Sequence, residues 1–508
     1  MIAIHAAYSP GILFGRRASL HQVPGLTARR IIVMRKASTE DKASGGHSEA
    51  TVKAGKSVVP AASQLVCIEF KDLVAQKDLT YELEMALGPN GLGAIVIKGV
   101  PSYSKLRGAL LPLAERIASL PPEVQEKYVD ADSSYSFGWS HGKESLANGV
   151  LDMFKGSFYA NPLVDDQLQP GNGDWLQPWA FPIPADEANP TDNQLPSGTA
   201  MPATPYDDTG MPASSTASNC GGYLGIRSDL EVSELRRMYP EYFHKNLWPR
   251  EEAPELEIAF KDLGRLICAV GCLLAEHCDR YVSLKLGTSP GLVSGVLRRS
   301  LNPKARLLHY FAPSETPLAG CEANQQQQQC HPMQQQQQKA SGGAAGISSV
   351  TGDKEDEQQA WCGLHTDHGS LTGLTAAMYL DGQGREVPSP DPEAGLYIRD
   401  RSGVFVRAGI PPDCIAFQVG EALQVHSGGL LMATPHYVRA PRSQLAQGIS
   451  RNTFAVFMQP DVLERMDCPP GADPEHVAVG QWKPGHTFGE FAAATFQQYY
   501  PKQQQQQH

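Results

Sequence analysis

From residue 64 onward, short apolar runs alternate with amphipathic stretches. The run 64–70 (QLVCIEF) predicts a strand and 79–87 a helix. After a Pro-Asn-Gly break, 93–99 (GAIVIKG) predicts a second, partly β-branched strand. Over 103–119, Leu106, Leu110, Leu113 and Ile117 recur at helical spacing and give a helix one apolar face. Pro121 and Pro122 end that helix or restart it, as proline does in a first turn. A longer helix is predicted over 256–282, striped by Leu263, Ile267, Val270 and Leu274; His277 and Cys278 read as part of that core helix.

The period changes at residue 305. ARLLHYF, SLTGLTAAMYL, GLYIRD, GVFVRA, CIAFQVG and NTFAVFMQ are short strands separated by Gly and Pro turns. No helices alternate with them, so the pattern points to a sandwich or barrel. A short helix is expected at 489–500.

Between these segments lie stretches with too little apolar surface to fold by themselves. Residues 161–220 are rich in Pro, Asp, Asn, Ser, Thr and Gly and read mostly as loop. Residues 314–359 carry two five-glutamine tracts and are expected to form a surface insertion between strands. The expected layout is a leader and linker (1–60), a helix-rich region (61–300), a β domain (301–460) and a tail (461–508).

The first 39 residues contain no acidic side chain, while Arg16, Arg17, Arg29, Arg30, Arg35 and Lys36 are spread among Ala, Ser, Leu and Ile. That is transit-peptide composition, for which chloroplast is the first destination and mitochondrion or cytoplasm the alternatives. Net charge is −11 with no long basic run, so no nucleic-acid partner is expected. No apolar run reaches the length of a membrane span, and no membrane partner is expected. The ten cysteines form no Cys-x-x-Cys pair; Cys272 and Cys278 fall in a helix, and Cys321 and Cys330 flank a glutamine tract. Reduced thiols are the simplest reading.

His365-Thr366-Asp367 carries the chemistry. On a strand, residues i and i+2 share a face. One imidazole, one carboxylate and a second imidazole form a facial set that leaves metal positions open, as non-haem iron oxygenases require. The second imidazole must come from a returning strand: His436 in TPHYV follows CIAFQVG and a Gly-rich turn, and His426 at the turn competes with it. Arg451-Asn452-Thr453 then opens an apolar strand, with Arg451 and Thr453 on one face. A guanidinium grips a carboxylate through two charge-assisted bonds, and a hydroxyl adds a third.

The order His-x-Asp, His, Arg-x-Thr, set among Trp361, Gly395-Leu396, Gly420-Glu421-Ala422-Leu423-Gln424, Gly428-Gly429, His436-Tyr437-Val438, Phe457 and Pro460, resembles the isopenicillin N synthase-like branch of the 2-oxoglutarate/Fe(II) dioxygenases. GLGAIVIKGVP, IASLPPEVQEKY and HKNLWP extend the resemblance over about 64–460. Counted from Gly420, the family's ligand histidine falls on His436 and not on His426. The resemblance implies a mainly β fold with flanking helices and a double-stranded β-helix (jelly-roll) core. It implies Fe(II) on His365, Asp367 and His436, and 2-oxoglutarate as cosubstrate with its far carboxylate on Arg451 and Thr453. O2 and a small-molecule substrate complete the set; 2-oxoglutarate is decarboxylated to succinate and CO2 as a substrate C–H bond is oxidised.

Four positions depart from the family pattern: Glu421 for Asp, Tyr437 for Arg, Thr453 for Ser, and Phe311 for a tyrosine that often helps hold 2-oxoglutarate. An oxidase of the same fold without 2-oxoglutarate, or a catalytically inactive binding or scaffold protein, are the alternatives. His141, His309 and His368 are expected to shape or line the pocket, Trp361 and Phe457 to be core, Arg439 and Arg442 to be solvated, and Glu421 to make a structural hydrogen bond.

Overall fold

The computed structural model describes residues 63–143, 151–166, 229–287, 292–313, 360–442 and 444–499. The expected leader, nearly all of the Pro/Ser/Asn-rich loop, the glutamine-rich insertion and the C-terminal glutamine tract lie outside the described residues.

Two sheets form the centre. The larger runs in the order β2 (Val66–Glu69), β3 (Ala94–Lys98), β13 (Cys414–Val419), β8 (Leu371–Thr375), β15 (Ser450–Met458), β6 (Lys304–Tyr310), β5 (Lys155–Ala160) and β4 (Gly138–His141). Beside β15, β9 (Met378–Leu380) and β10 (Glu386–Val387) form an offshoot. The smaller runs β1 (Ser63–Gln64), β12 (Phe405–Gly409), β11 (Gly395–Arg399), β14 (His436–Arg439) and β7 (Ala360–His365).

The single strand expected at 64–70 is two. β1 pairs with the small sheet and β2 with the large one, and Leu65 between them is buried among side chains of both. SLTGLTAAMYL likewise divides, because buried Arg107 donates to the carbonyls of Ala376 (3.0 Å) and Ala377 (2.9 Å) and holds the chain out of the ladder there. Strands β4 and β5 were not apparent from the apolar pattern.

The helix Leu256–Leu286 runs four residues beyond expectation and backs the large sheet with Phe260, Leu263, Ile267, Val270 and Leu274, all inaccessible to solvent. Each such side chain contributes about 1.5–3 kcal/mol on burial. Close approach is needed here: a Cβ on Gly373 of β8 would stand 2.2 Å from Ile267 Cγ2. The helix Tyr103–Ala118 forms as its spacing predicts. Among the described residues, no helix is long and apolar enough to cross a membrane.

The inner faces of the sheets meet in two apolar clusters. One joins Ala94, Val96, Cys414 and Ala416 to Ile398 and Ala408; the other joins Leu308, Tyr310 and Ala455 to Trp361. The polar side chains of interest lie on these same inner faces.

Candidate active site

Three donors converge where β7 and β14 meet. His365 and His436 are Cα partners in the two strands, and Asp367 follows just after β7 ends. The shared face expected for His365 and Asp367 therefore arises from the chain's turn out of the strand, not from strand alternation. Asp367 Oδ1 lies 3.6 Å from His365 Nε2 and 4.0 Å from His436 Nε2, and one donor atom from each residue falls within 4.8 Å of the others.

The surroundings orient these donors for a cation. His365 Nδ1 lies 2.8 Å from the Gly363 carbonyl and His436 Nδ1 lies 3.2 Å from that of Thr434. A carbonyl can only accept, so each Nδ1 carries a proton and each Nε2 is turned toward the cluster. Thr372 Oγ1 donates to Asp367 Oδ2 at 2.6 Å, leaving Oδ1 toward the imidazoles. Burial raises the Asp367 pKa, but His436, His365 and the Thr372 hydroxyl together bring the carboxyl below its ordinary value. Burial pushes His436 down to about 4, and a second positive imidazole beside it would oppose its protonation. The set is one carboxylate and two imidazoles, which suits a first-row divalent metal with open positions.

Arg451 stands on β15 with Tyr310 of β6 as its Cα partner. Its guanidinium carbon lies 4.8 Å above the Tyr310 ring and 5.8 Å from that of Trp361. The side chain is 7% exposed, its Nε and Nη1 have no hydrogen-bond partner, and no described carboxylate pairs with it. Leaving buried charged donors unsatisfied is costly, so this pocket is built for an anion. Thr453 shares the Arg451 face, but its hydroxyl donates to the Thr375 carbonyl at 3.3 Å.

His426 lies on the short helix Glu421–His426, with its Nε2 3.0 Å from the Arg465 carbonyl, outside the triad. His368 is hydrogen-bonded to Tyr242 OH at 3.1 Å and stacks on Phe488; burial holds it down to about 4. His309 and His141 alternate with inner-face residues and so point to the other face of the sheet, where their rings flank Phe311, 4.7 and 4.9 Å away. They do not line the pocket. Phe311 falls just past β6, and the ring beside Arg451 is that of Tyr310. Trp361 is buried and stacks on Tyr310, and Phe457 is partly buried. Arg442 is no free surface cation: it grips buried Asp391 through Nε (3.0 Å) and Nη2 (2.9 Å), while Arg439 lies 3.6 Å from Glu393. Glu421 is buried, but its Oε2 finds no partner; burial and then Asp367 push its carboxyl up to about 7.

No family model matches the chain. A homoarginine-6-hydroxylase, 2-ODD-C23, from Glycine max is 31% identical over 93 residues, which are 18% of this chain and 24% of that protein. The chain thus matches about a quarter of that relative's length. Among solved structures, a putative 2OG-Fe(II) oxygenase family protein from Caulobacter crescentus superposes with a TM-score of 0.50 at 15% identity. The match covers 86% of this chain and 100% of that one. Its fold is that of a 2OG-Fe(II) oxygenase. A full-length Neurospora crassa protein, solved in complex with alpha-KG, gives a TM-score of 0.48 at 15% identity, over 86% of this chain and 95% of that one. Within the 2OG-Fe(II) oxygenase fold, the structure brings His365, Asp367 and His436 into one cluster and sets Arg451 on the inner face of the facing sheet.

Proposed function

We propose that this chain is a 2-oxoglutarate/Fe(II)-dependent dioxygenase of the isopenicillin N synthase-like family, its two sheets forming a double-stranded β-helix. The substrate is a small molecule oxidised with O2. One combination carries the reading: a two-histidine, one-carboxylate cluster in the same interior as a buried arginine that lacks a counter-anion.

His365, Asp367 and His436 would hold the iron, and Arg451 would hold the far carboxylate of 2-oxoglutarate. The bound metal and cosubstrate supply the oxidising chemistry, in which 2-oxoglutarate goes to succinate and CO2. The chain's own part is binding and orientation. The Gly363 and Thr434 carbonyls fix the imidazole tautomers, and Thr372 fixes the carboxylate. Tyr310 and Trp361 form an aromatic bed that holds the guanidinium plane and keeps water from it. The unpaired guanidinium calls for an anion, which the far carboxylate of 2-oxoglutarate would supply. The acid-free, arginine-bearing N-terminus supports delivery to a chloroplast.

The test is an anaerobic titration with Fe(II) and 2-oxoglutarate, following the metal-to-ligand charge-transfer band in wild type, Arg451→Ala and His436→Ala. A band in the wild type that is lost in both variants is expected. Iron bound without a band would favour the oxidase, and no iron at all would leave a binding protein.

A further inference from the structure

The β2 edge of the large sheet brings two cysteines together. β2 pairs with β3 and β3 with β13, with Cys67 opposite Val96 and Cys414 opposite Lys98. Residues two apart on a strand share a face, so Val96, Lys98 and both cysteines stand on the inner face of the sheet. Cys67 is exposed and Cys414 is buried; both are free, and the Cys67 thiol is hydrogen-bonded to that of Cys414. Neither belongs to the candidate active site, which lies where β7 and β14 meet.

Both cysteines also line one cavity of about 120 Å³, together with Leu65, Val96, Gly409 and Pro411. Lys98 and Asp413 complete its lining, with Nζ and Oδ2 3.8 Å apart, and Cys414 Sγ donates to Asp413 Oδ1 at 3.7 Å. The cavity is thus a mainly apolar cup that holds two sulfurs, one ammonium and one carboxylate.

A disulfide does not fit here. Two strand steps of about 4.8 Å set the Cα atoms about 10 Å apart or more, whereas a disulfide joins Cα atoms less than about 7 Å apart. An ion held between the sulfurs covers more distance. Two metal–sulfur bonds of about 2.3 Å then replace one sulfur–sulfur bond of about 2 Å. The number of donors selects the ion. Zinc in a closed site takes four ligands, yet among the described residues the triad is the one group of three or more His, Cys, Asp or Glu donors close enough to share an ion. Two thiolates suit a soft, two-coordinate monovalent cation, and thiolate ligands select Cu(I). Exchanging two thiol protons for one such ion leaves one net negative charge on the complex, in the cavity that Lys98 also lines.

We infer that Cys67 and Cys414 form a dithiol site for Cu(I) at the β2 edge of the large sheet, separate from the triad. The exposed Cys67 gives the ion its way in, and the buried Cys414 fixes its depth. A bound ion ties the edge strand β2 to β13 across β3. Burial, and then the Asp413 carboxylate, push the Cys414 thiol up to about 12, so the pair stays protonated until a soft cation displaces its protons.

The test uses the full chain, reduced and under argon, with Cu(I) supplied as its acetonitrile complex and buffered by bicinchoninate. Alkylation of Cys67 by iodoacetamide is followed by mass mapping, so copper held by other thiols does not enter the reading. In wild type, Cu(I) should block alkylation of Cys67, and Zn(II) at the same concentration should not. Cys414→Ala should lose that protection, and Cys67→Ser should retain one Cu(I) fewer than wild type against the same competitor. His436→Ala, which breaks the triad and leaves both thiols, should keep full protection at Cys67. Failure of Cu(I) to protect wild type, equal protection by Zn(II), protection that persists in folded Cys414→Ala, or protection lost in His436→Ala would each overturn the inference. If Cys414→Ala does not fold, the exposed position decides: an unchanged copper count in Cys67→Ser removes the site.

Discussion

His365 and His436 are direct Cα partners across β7 and β14, and their ring centroids lie 4.4 Å apart. Two imidazoles this close resist being charged together, whereas one dication between their Nε2 atoms satisfies both and ties the edge strand β7 to its neighbour.

Metal should therefore stabilise the fold. Fe(II) under argon, or Mn(II) as an air-stable substitute, is expected to raise the melting temperature reversibly with chelator. At a hundredfold excess over Kd the gain is about 2.7 kcal/mol. His436→Ala should abolish the shift. A wild-type melting curve indifferent to both metals would contradict the ligand assignment.

Arg451 separates stability from binding. Its buried guanidinium has donors without partners, so replacing it with methionine removes an unsatisfied charge from the interior. Arg451→Met is expected to leave the metal-dependent melting shift intact and to unfold in urea at the same or a higher concentration. Its 2-oxoglutarate affinity should fall by about a hundredfold or more, from two lost charge-assisted bonds. A variant that unfolds much earlier in urea would make Arg451 a structural residue.

The candidate donor set was legible from the order His-x-Asp, His, Arg-x-Thr beside strand patterns together with the family resemblance, which favoured His436 over His426, and the structure brings the three donors together. The supporting residues were less legible. Tyr310 and Thr372 look like ordinary strand residues; register sets Tyr310 beside Arg451, and a side-chain hydrogen bond joins Thr372 to Asp367. His309, expected to shape or line the pocket, is turned by strand alternation to the face opposite Tyr310. β4 and β5 escaped notice because their inner faces carry Ser140, Lys155 and Ser157, so the apolar alternation that marks a strand is missing.

Asp391 should matter for acid stability. Burial raises its pKa, but the Arg442 guanidinium and the backbone N–H groups of Arg442 and Glu393 bring the carboxyl below its ordinary value. A folded pKa below the unfolded one means that the unfolded chain takes up the proton first. The contribution is thus fully present above the unfolded value of about 3.9 and is lost as pH falls through the folded one. Asp391→Asn is expected to cost about 1–3 kcal/mol at neutral pH, toward the low end because Arg442 is half-exposed. Urea midpoints measured from pH 7 down to pH 3 would test this. The gap between wild type and variant should narrow below about pH 4, and a gap independent of pH would rule out the ion pair as its source.

Thr372 would support a metal on the cluster without touching it. Its hydroxyl, 2.6 Å from Asp367 Oδ2, fixes which carboxylate oxygen faces the imidazoles. Thr372→Val keeps the β-branched shape that packs in β8 and removes only that bond. Outer partners of this kind are worth about 10–100-fold in metal affinity, so the Mn(II) titration of Thr372→Val should weaken by that factor. The metal-free melting temperature should move little, since Asp367 keeps its contacts with the two imidazoles. Unchanged Mn(II) affinity would show that the carboxylate is held by its backbone turn alone, where the Asp367 carbonyl accepts from Glu421 N at 2.8 Å. A fall in the metal-free melting temperature as large as the loss in affinity would instead place the role of Thr372 in folding.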